Sequence, residues 1–81
     1  MKNKAMSNQL VSINSNVMSG TPVFAGTRVP VKNLFDYLET GETLEAFLDD
    51  FPSVQRQQAV TLLERAQQFL TSEDFLRESA A

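Results

Sequence analysis

Cysteine and histidine are both missing from this 81-residue chain. Without cysteine there is no disulfide scaffold and no thiolate metal site. Without histidine, the commonest general acid–base and the commonest zinc ligand go together. A nucleophilic serine would have no imidazole to activate it. No apolar run approaches the roughly 18 residues of a membrane span, and the N-terminus lacks the apolar core of a signal peptide. The expectation is a cytoplasmic protein that uses no metal or cofactor and is not an enzyme. Its length allows one domain. A chain this short buries only about 60% of the surface its unfolded form exposes. Such a marginal core gains stability by pairing with another chain, so a homodimer is expected.

The net charge of −3 is unevenly spread. Residues 1–30 hold Lys2, Lys4 and Arg28 with no acidic residue, whereas residues 31–81 hold four cations and ten carboxylates. The body is a solvated acidic surface, and a polyanion would be met first by the N-terminal third.

Residues 1–9 are polar and without period, which predicts a mobile tail before a single domain over 10–81. The segment "LVSINSNV" predicts a short strand and a turn at Asn14–Asn16. The segment "TPVFAGTRVPV" reads as two extended pieces around Ala25–Gly26. Pro22 and Pro30 cannot donate to a ladder, so they belong at edges or strand ends. From Val31 the period becomes helical through Leu34, Phe35 and Leu38. Pro30 stands at a helix entry and Gly41 at a left-handed C-terminal cap. A second helix follows, capped by Thr43 and striped by Leu44, Phe47, Leu48 and Phe51, and Pro52 ends it. A third runs from about Gln55 to Leu70, with the stripe Ala59, Leu62, Leu63, Ala66, Phe69 and Leu70. A short terminal helix starts after Thr71 or Ser72. The expected fold class is mainly α: a three-helix helix-turn-helix domain with a small N-terminal β-element and a short C-terminal helix, an outline that trihelical modules which never touch DNA also share.

The segment Gly20–Val31 has the look of a phosphate loop and fails as one. A Walker loop has the pattern Gly-x-x-x-x-Gly-Lys-Ser/Thr. Here five residues separate Gly20 from Gly26, Thr27-Arg28 follows, and Pro22 removes a backbone donor. A β-ribbon that touches DNA and a turn that holds the domain together both remain. The carboxylate pairs Asp49–Asp50 and Glu73–Asp74 are sequence neighbours, which point apart on a helix and make no acid–base pair. In a helix-turn-helix, the start of the second motif helix reads bases, where Arg suits guanine and Gln suits adenine. Arg56, Gln57, Thr61 and Arg65, with Lys2 and Lys4 from the tail, are therefore the candidate DNA contacts. The helical body opposes strong binding, because residues 31–70 carry three cations against seven carboxylates.

The string Gly-x-Pro-Val-x-x-Gly-Thr-Arg-Val-Pro-Val, followed by a glycine about ten residues on and then Phe-Pro, resembles a small prokaryotic family, domain of unknown function 433. The resemblance covers about residues 12 to 66 and places motif positions at Gly20, Pro22, Gly26, Thr27, Arg28, Pro30, Gly41 and Pro52. It implies a homeodomain-like or winged-helix-like domain with a small β-element before the helices. Some relatives look like antitoxins encoded beside a PIN-like ribonuclease toxin. Antitoxins of that kind bind their toxin and can bind their own promoter as dimers. Two departures stand out. The family's Ser or Thr cap before the third helix is Gln55 here, with Ser53 two residues earlier as a substitute. Phe24 and Ala25 leave the loop less basic.

Two functions follow as expectations. The first is a non-enzymatic antitoxin-like module that binds a toxin protein, and weakly promoter DNA, as a dimer away from membranes. The second is a protein-interaction module that binds no DNA. Arg28, polar in an apolar setting, is expected to clamp the N-terminal piece to the helical body through a carboxylate or carbonyl, with Asp49–Asp50 as one candidate.

Overall fold

The computed structural model describes residues 9–79, and Lys2 and Lys4 lie outside them. The described residues form two short strands, β1 (Val11–Ser12) and β2 (Val23–Phe24), and four helices. The helices are α1 (Val31–Glu39), α2 (Leu44–Asp50), α3 (Arg56–Leu70) and α4 (Glu73–Ser79). The molecule is thus mainly helical, with a small antiparallel sheet near the N-terminus that pairs Val11 with Phe24 and Ser12 with Val23. Between the strands, Asn14–Val17 closes one turn. Met18, Ser19 and Gly20 then all take positive φ (50°, 56° and 85°), and only the glycine adopts this without steric penalty.

The segment after β2 turns back on itself. Phe24 N–H donates to Val29 C=O (3.0 Å), and Val31 N–H donates to Pro22 C=O (3.0 Å). Gly26, at φ +79°, occupies the position of the Phe24–Thr27 turn that demands a left-handed residue. Thr27 locks the turn: its Oγ1 donates to Phe24 C=O (2.8 Å) and accepts from Val29 N–H (3.0 Å). Both prolines sit where their missing donor is not needed. Pro22 precedes β2, and Pro30 caps the start of α1 in extended geometry.

The helix ends follow the chemistry of their residues. Gly41 closes α1 at φ +89°, with Gly41 N–H on Leu38 C=O and Glu42 N–H on Tyr37 C=O. That pair of bonds is a Schellman cap. Thr43 caps α2 by accepting from Ala46 N–H (3.0 Å). The cap of α3 differs from expectation. Ser53 is exposed, and the reaching side chain is Gln58, whose Oε1 accepts from Gln55 N–H (2.9 Å). A glutamine at the third helical position satisfies the cap from inside the helix, so a hydroxyl before it is not required.

Phe24, Leu34, Phe47, Val54, Ala59 and Leu62 form the core, with Val29 against them. Phe24 delivers the β-element to this core, its ring centroid 5.9 Å from that of Phe47. Tyr37 stands edge-on to Phe47 (5.5 Å, 81°) and to Phe51 (5.8 Å, 72°). Val54 is the buried anchor of an otherwise exposed short link between α2 and α3, which fixes where α3 begins. Each such burial contributes about 1.5–3 kcal/mol. The α3 stripe is only partly used: Ala59 and Leu62 are buried, whereas Phe69 and Leu70 are exposed. At fifteen residues α3 is longer than α1 and α2, so its last turns pass beyond the core.

Arg28 does not act as the expected clamp. It is exposed, and it makes no ion pair or side-chain hydrogen bond among the described residues. Asp50 instead accepts from the Tyr37 hydroxyl. A solvated guanidinium at a turn tip needs no internal partner, so the apolar neighbours of Arg28 in sequence were no guide to its burial.

Candidate functional site

The turn Ala25–Thr27 and the first turns of α3 stand side by side and enclose an open, polar groove of about 530 Å³. What joins them is Gln58. Its Nε2 donates to Ala25 C=O (2.9 Å) while its Oε1 holds the cap of α3. One amide side chain therefore fastens the β-element to the third helix, the task expected of Arg28. Both its donor and its acceptor end are used, as a half-buried amide requires.

A second polar groove, of about 330 Å³, adjoins it through the shared Gln9, Gln55 and Gln58 and is lined along α3 by Gln57, Thr61 and Arg65. Their spacing places all three α3 residues on one helix face. Gln57 Nε2 donates to Thr61 Oγ1 (2.8 Å), an exposed contact that orients both side chains along the groove. Arg65 is exposed and has no ion-pair partner among the described residues. Three of the four α3 residues singled out from sequence thus come together.

Arg56 does not join them. It reaches back across the link to Glu45 of α2, and the pair is exposed on both sides. The hydrogen bond to Arg56, with its charge, holds the Glu45 carboxyl below the usual carboxylate range, and the same contact raises Arg56. Exposed pairs of this kind contribute little to stability, but the contact turns Arg56 away from the groove.

Among the described residues, the chemistry available here is hydrogen bonding and the positive charge of Arg65, which has no ion-pair partner there. Amide, hydroxyl and guanidinium groups recognise phosphate, peptide or base edges. Among the described residues, no three acidic side chains gather as a metal site. Sequence reasoning missed Gln58, the hinge of this geometry. The signal was present in Gln55-x-x-Gln58, a glutamine three residues after the cap. Its second bond, to a carbonyl 33 residues earlier, has no local signature.

No curated protein matches the chain. A crystal structure of a DUF433 member protein from Anabaena variabilis is similar in fold, with a TM-score of 0.66 at 23% identity. The match covers 95% of this chain and 74% of that one. The family model described as "Protein of unknown function (DUF433)" matches residues 11–66, which span the sheet, the Ala25–Thr27 turn and most of α3. With more than two thirds of its length inside that match, the chain belongs to the DUF433 family, whose description assigns no activity.

Proposed function

We propose that this chain is a non-catalytic, antitoxin-like binding module that acts as a dimer. It binds a partner protein, of the kind of a PIN-like ribonuclease toxin, and it reads promoter DNA weakly with α3. The observation that carries this reading is the pair of adjoining open polar grooves, one lined by the Ala25–Thr27 turn and the other by Gln57, Thr61 and Arg65, with Gln55 and Gln58 common to both. In this reading α3, which follows α2 after a short link anchored by the buried Val54, serves as the second helix of a helix-turn-helix. The grouped side chains belong to the types that read base edges and phosphates. Arg56 is occupied by Glu45 and the body is acidic, so phosphate attraction is small and a second subunit is needed to raise it.

A salt titration of binding to the DNA upstream of its own coding region tests this. A falling affinity with rising salt supports the reading, and a flat, weak response removes DNA from it. The second reading is an interaction module that binds no DNA. Glu39, Glu42, Asp49 and Asp50 favour it, since all four are exposed on α1, α2 and the turn between them and suit a basic partner.

A further inference from the structure

The apolar stripe of α3 runs past the core without cover. Phe69 is 63% exposed and Leu70 50%, and on α4 Leu76 is 47% exposed. The Phe69 and Phe75 rings lie 5.3 Å apart and seat α4 at the far end of α3. Farther back on α3, against Leu62 and Ala66, lies an apolar groove of about 340 Å³ also lined by Leu10, Val11, Val31 and Phe35, with the exposed Arg65 at its rim. No α4 residue lines that groove. The chain therefore carries two unmatched apolar surfaces.

Their charges are complementary. The α4 helix holds Glu73, Asp74 and Glu78 against Arg77 alone, and although Arg77 pairs with Glu73 (3.8 Å) and Asp74 (3.3 Å), these pairs are exposed and the helix keeps a net −2. The rim of the groove holds Arg65, which has no ion-pair partner among the described residues. An acidic helix with an apolar side fits an apolar groove with a cationic rim. Because one chain supplies both halves and does not bring them together, a second copy can satisfy both at once. That arrangement is isologous: each copy gives one helix and receives one.

We propose that the α4 helix of each chain lies in the Val31–Phe35–Leu62 groove of a second copy, with Glu73 and Asp74 facing Arg65 of that copy. The inference rests on the dimer of the proposed function and specifies its interface. It also places the two polar grooves next to the interface, since Arg65 borders both the polar and the apolar groove.

The test is sedimentation equilibrium of the full chain without DNA. Two charge-reversed variants are used, Arg65→Glu and the double variant Glu73→Lys/Asp74→Lys, and circular dichroism checks that each is folded. All three positions are exposed, but the double variant also breaks the Arg77 pairs within α4, so restoration by mixing, and not loss of association alone, identifies the interface. Wild type associates in the micromolar range. Each variant alone associates on the order of tenfold more weakly, because the reversal is felt at two symmetry-related contacts. Mixing the two variants restores association, because both contacts in the mixed dimer are then attractive. Wild type that stays monomeric, a variant that associates as wild type does, or a mixture that stays apart would each overturn the inference. A dimer that ignores both reversals leaves the proposed function standing and places the interface elsewhere.

Discussion

Replacing Gln58 with alanine separates the β-element from α3 without touching the core. The structure sets the magnitude. Two hydrogen bonds are lost, one to Ala25 C=O and one from Gln55 N–H, both 2.9 Å long. At a net contribution of about 0.5–1.5 kcal/mol each, the loss is about 2 kcal/mol. For a domain of this size that lowers Tm by roughly 8–16 °C. Two neighbours serve as controls. Gln57→Ala removes only an exposed contact one turn apart along the helix, about 0.2–0.5 kcal/mol. It also carries the same change in helix propensity, so the difference between the two variants isolates the bridge. Arg28→Ala removes no partner and stays within about 0.5 kcal/mol of wild type. Thermal melts followed by circular dichroism, with urea titrations for ΔG, measure all three. If Arg28→Ala destabilises the protein as much as Gln58→Ala does, the bridge has been assigned to the wrong residue.

Other outcomes follow from single contacts. Tyr37 is the only tyrosine, and its hydrogen bond to Asp50 raises its pKa above the ordinary phenol range. A raised pKa means that this contact stabilises the fold below the ordinary phenol value and that the stabilisation is lost as pH rises through the raised one. An ultraviolet titration should show late ionisation in wild type and a lower midpoint in Asp50→Ala; equal midpoints would contradict the contact. Gly26→Ala places no atom against a neighbour, so its loss is backbone strain alone, about 1–2 kcal/mol. Gly26→Asn should lose less, since asparagine tolerates the left-handed region, and denaturant titration orders the two.

Most of the fold could be read from local chemistry. The change of period at Val31, the Gly41 stop, the Thr43 cap and the restart after Ser72 each depend on a few adjacent residues, and each appears in the structure where its pattern placed it. The candidate site was legible only on one side. Gln57, Thr61 and Arg65 share a helix face by spacing alone, so their grouping followed from the helix. That Ala25 and Gly26 would stand opposite them depended on the long-range bond of Gln58, and no periodicity encodes a contact of that separation. Arg28 shows the opposite failure. Its apolar neighbours in sequence suggested a buried cation, but the turn made by Gly26 and Thr27 directs it outward. Phe69 and Leu70 fit the α3 stripe and are nevertheless uncovered, because a stripe predicts a face and not what packs on it.

Binding to the DNA upstream of its own coding region, measured by fluorescence anisotropy at several salt concentrations, bears most directly on the role given to α3. The proposed reading requires affinity to fall linearly in log–log form as salt rises, by about 0.9 per phosphate contacted. Gln57→Ala and Thr61→Ala should each weaken the upstream site relative to unrelated DNA while leaving the slope unchanged. A weak response without slope, unaltered in both variants, would contradict a DNA-reading third helix.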